Sequence, residues 1–559
     1  PFFIFEEIDS ILIFILTQGV PIGLKYTKFN CTDRFNFYFK FQLIKVFMVF
    51  IGSFKAKLTS LFLEILYDMT KGLKYSRWFQ GGLVITALGL MTGCALIPKS
   101  TLSAEDSKPE VSVNWEALKT TSSVATPVRW WTLFHDDVLS SLESRAEKNN
   151  LDLQLAAIRW KESRAQLGLV SSQKNVQLSV DGGFSSIGLS EDAPLAGVGA
   201  PTSRIDTWSL STGASWEMDF WGYLSDKEKA AKEQLQATAF ENDMVQVSLS
   251  ADIARNYWRL RGVQAQQQYL QEQIKIAKSR YGLAQNRERN GVGTNYQTQT
   301  MKAELSDVTA KLPSLQHQEA VLKNALALLL GLSPHALDLE LSGQPKAPSL
   351  PTVLAVGVPS DLARNRPDIL MAGAKLRASI AQVSAANADF YPRIRLTASI
   401  GALSNDLSDL GSWDSRQYSV GPSFHLPIFE GGKLRQTLAL TEAKQKAAAV
   451  TYRKTVLSAW HEVENSLGAW TSESESVRRL NAAQKQREVA LHAALRSFQE
   501  GAADRGDVLN AQQSLVAAKR SLMDGQVSQA LAMVALYRSL GGDWSGDVKQ
   551  PFSGEKVSK

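Results

Sequence analysis

Four short segments of the chain alternate apolar and polar positions with a period of two, and two much longer segments show no such alternation and contain no proline. Period two marks a strand whose two faces meet different surroundings. In the first segment Val176, Leu178, Val180 and Phe184 share one face, and Gln177, Ser179, Asp181 and Ser185 the other. The second sets Trp208, Leu210, Ala214, Trp216 and Met218 against Ser209, Ser211, Ser215 and Glu217. The third sets Ile394, Leu396, Ala398 and Ile400 against Arg393, Arg395, Thr397 and Ser399, and the fourth sets Tyr418, Val420, Phe424 and Leu426 against Gln417, Ser419, Ser423 and His425.

After Pro201 the next proline is Pro313, and after Pro427 it is Pro551. Proline costs roughly 3 kcal/mol inside a helix, so such gaps mark where long helices are allowed. The pattern predicts helices from about Ser225 to Arg289 and from about Lys433 to Gln499. At ~1.5 Å per residue each spans roughly 100 Å, wider than an ordinary domain. Each ends near a glycine, Gly291 or Gly501, beyond which a second helix must run back. After Gly501, Val508, Leu515 and Leu522 recur every seven residues, as do Ala511, Ala518, Gly525 and Ala532. That period predicts a coiled-coil seam on which small residues let helices approach closely. Shorter helices are expected over about Val138 to Ser172 and Ser360 to Asp389.

These elements come twice, about 210 residues apart. Phe220, Trp221 and Gly222 before the first long helix recur as Ile428, Phe429 and Gly431 before the second, and Gly291 with Leu305 recurs as Gly501 with Leu515. The chain divides accordingly into a first unit over 129–332, a Pro-rich link over 333–359, a second unit over 360–541 and a tail over 542–559. Strands of about ten residues suit a tilted crossing of a bilayer, but four cannot close a membrane barrel, whose smallest examples need about eight. Open sheet edges are not tolerated in lipid. Membrane insertion therefore requires copies of the chain to share one barrel, and three copies give twelve strands. The alternation also fits a soluble sheet covering a core, and the seven-residue seam also fits a soluble bundle.

The first 68 residues differ in composition, holding 13 of the 23 Phe. Residues 1–68 are expected to be translation from upstream of a start at Met69, the alternative being an apolar anchor. From Met69, the basic Lys71, Lys74 and Arg77, the apolar run Gly82 to Met91 and the small pair Thr92-Gly93 read as a signal peptide over 69–93. The ending Leu90-Met91-Thr92-Gly93-Cys94 resembles a bacterial lipobox, which implies a lipid on Cys94 followed by a linker over 94–128. The other cysteine, Cys31, lies in the leader, so no disulfide is expected after processing. Residues 1–94 carry 10 Lys or Arg and 6 Asp or Glu, leaving 51 basic against 49 acidic residues beyond them. That near-balance gives no basic surface for nucleic acid.

Five stretches carry a resemblance to a known family: Trp130-Trp131-Thr132-Leu133-Phe134, Ser215-Trp216-Glu217-Met218-Asp219-Phe220-Trp221-Gly222, Arg366-Pro367-Asp368, Phe390-Tyr391-Pro392 and Phe429-Glu430-Gly431-Gly432. They resemble the outer-membrane efflux proteins, in particular the lipoproteins serving resistance-nodulation-division pumps. The resemblance implies an α+β membrane protein: a homotrimer with a twelve-stranded β-barrel in the outer membrane, four strands per chain, continued by a helical coiled-coil tunnel through the periplasm. It implies as partners a periplasmic adaptor and an inner-membrane pump of that class, besides outer-membrane lipid. By the same resemblance Gly291 and Gly501 sit at tips that dock the adaptor, and Asp507 matches a carboxylate lining the closed periplasmic aperture. Gln297 holds that place in the first unit, and Asn510 stands where the family has a further carboxylate. Family prolines are replaced by Leu151 and Val176, so altered turns are expected at both.

Catalysis finds no support in the sequence. The six His are scattered, Gly291-Val292-Gly293 lacks a third glycine, and Glu430-Gly431-Gly432-Lys433 lacks the other marks of a phosphate loop. Asp136-Asp137 reads as a helix cap. No cofactor or metal is expected. The sequence points to a passive outer-membrane duct for small molecules, drugs among them, with energy supplied by partners. An exit duct for secreted protein and a periplasmic coiled-coil scaffold are the alternatives.

Overall fold

The computed structural model describes residues 121–122, 129–188, 190, 192, 203–351, 354–355 and 366–542. All lie in one of the chain's two units, Lys99–Lys559, and the other, Pro1–Pro98, falls wholly outside them. The expected leader, signal peptide and Cys94 therefore lie outside the described residues, as do most of the linker, most of the stretch between the first two alternating segments and the tail beyond 542.

In chain order the elements are β1 (Thr121–Ser122), α1 (Asp137–Asn149), α2 (Leu151–Ser172), β2 (Gln177–Ile187), β3 (Ile205–Met218), α3 (Tyr223–Arg289), α4 (Asn295–Thr309), α5 (Leu312–Leu329), β4 (Leu354–Ala355), α6 (Pro367–Ala388), β5 (Arg393–Ser404), β6 (Arg416–His425), α7 (Lys433–Gln499) and α8 (Arg505–Ser539). Both long helices contain 67 residues. Each starts from a left-handed glycine, Gly222 at φ 82° and Gly432 at φ 88°, a conformation that costs any side chain steric strain.

β2, β3, β5 and β6 form one antiparallel sheet in that order, leaving β2 and β6 at its edges. Its apolar side chains are not covered: Leu178 is 75% exposed, Tyr418 81% and Phe424 79%. A soluble sheet would hide that face, so the alternation marks a face turned to an apolar medium. At one end of the sheet Phe220, Trp221, Tyr391 and Phe429 are also exposed, and Trp221 stacks on Tyr391 while donating from Nε1 to the Pro392 carbonyl at 2.8 Å. Aromatic rings of this kind suit the level of lipid headgroups.

Below the sheet α2, α3, α6 and α7 pack side by side, and farther from it α4 and α5 flank α3, which packs on α8, which packs on α7. Close approach rests on small residues: a Cβ on Gly525 of α8 would meet Leu480 of α7 at 2.8 Å, and one on Gly262 of α3 would meet Val527 of α8 at 3.3 Å. The main core lies where these layers meet. Trp130, Phe134, Tyr257, Trp258 and Tyr537 are buried there, Trp130 stacking on Tyr537 at 5.7 Å between centroids. Arg366, also buried, donates to Asp368, to Glu462 at 2.9 Å and to the Ser539 carbonyl at 2.7 Å, tying the start of α6 to α7 and the end of α8.

Several expectations need correction. The helix expected over Val138 to Ser172 is two, because Asn150 turns to extended backbone and caps α2 by accepting from the Leu153 amide. Leu151 thus starts a helix as Pro367 does, with an asparagine cap doing the work of the absent proline. At Val176 the turn keeps most of its bonding without proline: the amides of Lys174 and Asn175 donate to the carbonyls of Ser171 and Ser172 as those of Phe390 and Tyr391 donate to Asn387 and Ala388, and only the first bond differs, Gln173 reaching Val170 where Asp389 reaches Ala385. The single return helix of the first unit is interrupted at Ala310-Lys311, since Pro313 in the first turn of α5 has no amide to offer the preceding turn. Two segments read as links are joined, Thr121-Ser122 pairing in parallel with Leu354-Ala355.

Candidate functional site

At the ends of α3 and α7 the chain reverses through the same hydrogen-bonded motif. Gly291 and Gly501 are left-handed, at φ 70° and 77°. The Val292 amide donates to the Arg287 carbonyl at 2.9 Å and the Gly291 amide to Glu288 at 3.0 Å, while Ala502 donates to Ser497 at 2.8 Å and Gly501 to Phe498 at 3.2 Å. This is the paired bonding that satisfies the last carbonyls of a helix, and it requires a residue tolerant of positive φ. The return helices start with reciprocal caps. Gln297 donates its amide to Thr294 Oγ1 and accepts the Thr294 amide, both at 3.3 Å. Asp507 does the same with Asp504, both bonds 3.1 Å.

Gln297 and Asp507 therefore share one local duty, completing a capping box, and both remain exposed. The tip residues Gly291 and Gly501 lie at the turns. Asn510, one helical turn into α8, accepts from Arg280 of α3. The same guanidinium donates to Glu304 of α4 at 2.8 Å, so one arginine joins three helices. Seven residues farther, on the same face of α3, Arg287 donates to Asp504 at 2.7 Å. That hydrogen bond is the main reason the Asp504 carboxyl lies below the usual carboxylate range. Sequence reading missed Arg280, Arg287, Glu304 and Asp504. The seven-residue spacing of the arginines was a visible signal, but their partners are 24 to 230 residues away.

Exposed chemistry differs between the tips. The first presents Val292 at 77% and Tyr296 at 79% exposure beside a neutral cap. The second presents the Asp504–Asp507 pair and exposed Arg505. Among the described residues there is no cluster of His, Cys, Asp and Glu that suits a metal ion. No described helix is long and apolar enough to cross a membrane.

An open four-stranded sheet with a bare apolar face, carried on about 100 Å of helix, defines the class: a membrane protein whose sheet meets lipid and whose helices extend away from it. The profile of outer membrane efflux proteins matches residues 142–332 and 358–542, and the chain belongs to that family. It is 28% identical over 455 residues to the cation efflux system protein CusC of Escherichia coli O6:H1, covering 81% of this chain and 96% of CusC. It is also 28% identical over 465 residues to the pyoverdine export outer membrane protein OpmQ of Pseudomonas aeruginosa, covering 82% and 97%. The solved outer-membrane channel OprN superimposes with a TM-score of 0.71 at 27% identity, covering 79% of this chain and 99% of that one. The chain is an outer-membrane efflux channel protein, with its sheet in the membrane and its helices in the periplasm.

Proposed function

We propose that three copies of the chain close one twelve-stranded barrel and one helical tunnel, forming a passive exit duct whose periplasmic end is narrowed at the tips of α3–α4 and α7–α8. The observation carrying this reading is the sheet: its apolar face is uncovered, and among the described residues nothing pairs with the outer edges of β2 and β6. Lipid accepts the face but not the edges, so the edges must meet those of other copies. The helices lead to the same conclusion. α7 has α6 beside its strand-proximal half and α8 beside the rest, while Leu440, Val450 and Leu457 stay exposed on another flank. A head-to-tail contact that closes on rotation uses one flank of each copy against the opposite flank of the next.

At the narrow end, three copies of Asp507 form an acidic ring with Asn510 as a neutral layer beside it, and Gln297 holds the alternate positions. The apolar tip residues near Gly291 and the turn at Gly501 are the surface for a periplasmic adaptor, through which an inner-membrane pump of the resistance-nodulation-division class delivers cargo. Nothing in the duct performs catalysis, and no cofactor is involved. Cargo is left to the pump: equally similar relatives are named for cations, for pyoverdine, for antibiotic and for solvent, and a water-filled tube needs no tailored pocket. Cys94 carries the lipid anchor, and Cys94→Ser is expected to abolish incorporation of labelled palmitate.

The deciding experiment is electrical. Purified chain added to a planar lipid bilayer is expected to give discrete channels, and a trimeric protein that inserts without conducting would overturn the duct.

A further inference from the structure

The joint between the two halves of this chain is made by β3 with β5 and by α3 with α6. Within the chain β3 pairs with β5, Gly213 facing Ser399 and Ser215 facing Thr397. α3 lies against α6, with Arg377 donating to Glu233 at 2.7 Å. The flanks left open, β6 with α7 and β2 with α2, correspond to the same elements one unit along. The strand registers fix the correspondence: Gln177 faces Ser215 in the first unit and Arg393 faces His425 in the second. The left-handed glycines before the long helices, Gly222 and Gly432, agree with it.

We infer that a second copy docks in the register of the internal joint, so that Ser423 of β6 faces Gly183 of the next copy and His425 faces its Asp181. This rests on the proposed ring and specifies the contact within it. The helical flanks match in the same frame. The buried Ala374, Ala378, Ala381 and Ala385 of α6 correspond to exposed Ile158, Glu162, Ala165 and Leu169 of α2. The α3 residues Ala230, Ala237 and Val247, buried in the chain, correspond to exposed Leu440, Ala447 and Leu457 of α7. One copy alone therefore shows to solvent the seams that its own internal joint buries.

The seam between copies differs in its charges. The internal pairs Arg377–Glu233 and Arg395–Glu217 become Lys161 with Ala443 and Ser179 with Pro427, so both ion pairs are lost there. A replacement arises elsewhere. Met244 of α3 and Asp368 of α6 line one groove, and their counterparts are Lys454 of α7 and Asp152 of α2. Both are exposed in the single chain and opposite in charge. Lys454 of one copy pairs with Asp152 of the next, which gives the seam a polar lock absent from the interior.

Cysteine pairs in the full-length protein test the register. Directly opposed residues of antiparallel strands have Cα atoms about 4.5–5.5 Å apart, within disulfide reach, whereas diagonal neighbours at roughly 7–8 Å are not. Ser423→Cys with Gly183→Cys is expected to give disulfide-linked trimers on oxidation, Ser423→Cys with Asp181→Cys to give almost none, and the internal pair Gly213→Cys with Ser399→Cys to close without change in size. Trimers linked through positions 423 and 181 instead would overturn the register while leaving the ring intact. A monomer by light scattering in detergent would overturn the ring itself. For the lock, Lys454→Glu is expected to reduce the fraction of trimer surviving mild SDS, and adding Asp152→Lys to restore it. No loss in the single variant, or no recovery in the double, would overturn that pair.

Discussion

The two helical tips have the same backbone and different surfaces. Both end a 67-residue helix with a left-handed glycine, both satisfy the last carbonyls in the same paired way, and both restart through a reciprocal cap. The first completes that cap with Gln297 and exposes Val292 and Tyr296, whereas the second completes it with Asp507 and ties Asp504 to Arg287. A side-chain oxygen is all the cap needs at its third position, and glutamine and aspartate both supply one. Charge at this position is thus free to vary without changing the turn, which lets two tips of the same backbone present different surfaces.

The comparison is broken most severely by removing the side chain that joins the tips. Arg280→Ala frees Glu304 and Asn510 together, and hydrogen bonds to a charged group contribute about 2 kcal/mol. Single-channel conductance is expected to rise several-fold with a lower thermal midpoint; an unchanged channel would show that Arg280 holds no closed state. A smaller effect sharpens the contrast. Asp507→Gln gives the second tip the chemistry of the first, keeping the cap and losing roughly 0.3–1 kcal/mol of favourable charge at a helix start. The reversal potential in a salt gradient is expected to move toward zero at nearly constant stability, and a preserved cation preference would remove Asp507 from the ring.

The smallest effect concerns pH. Because Arg287 holds Asp504 below its ordinary value, the link stabilises the tip above the unfolded carboxyl pKa and is lost as pH falls through the lower folded value. Tip protection in hydrogen exchange is expected to be flat from neutral pH to about pH 5 and to decline only in stronger acid. Arg287→Ala should shift that decline upward toward the ordinary carboxyl range. An unshifted curve would mean that other groups control the tip.

Much of the fold was legible along the chain. Proline gaps and flanking glycines bounded the long helices to within two residues, and period-two runs located all four strands, since both signals are local consequences of backbone sterics and of which face meets which medium. The break at Asn150 was not legible because an asparagine inside a polar run can lie within a helix or cap the next one, and only the packed backbone shows which. The break at Ala310-Lys311 depends on Pro313, which is tolerated in the first turn of a helix and so marks a restart as readily as an end. At the site, Gly291, Gly501, Gln297, Asp507 and Asn510 were named from resemblance, but the arginines that organise them were not. Their partners lie on other helices, and the seven-residue spacing of the two arginines places them on one face without saying what that face meets.

By itself the sequence determined the four strands of the large sheet, the two long helices and the order in which they come, because these follow from local hydrogen bonding and from alternation of polarity. Only the tertiary structure decided that the sheet's apolar face is bare, that α7 is a flank while α3 is enclosed, and that Arg280 and Arg287 reach across to the other tip. Those facts depend on which distant segments pack together. Packing is a sum over contacts between residues far apart in the chain, which no local pattern records.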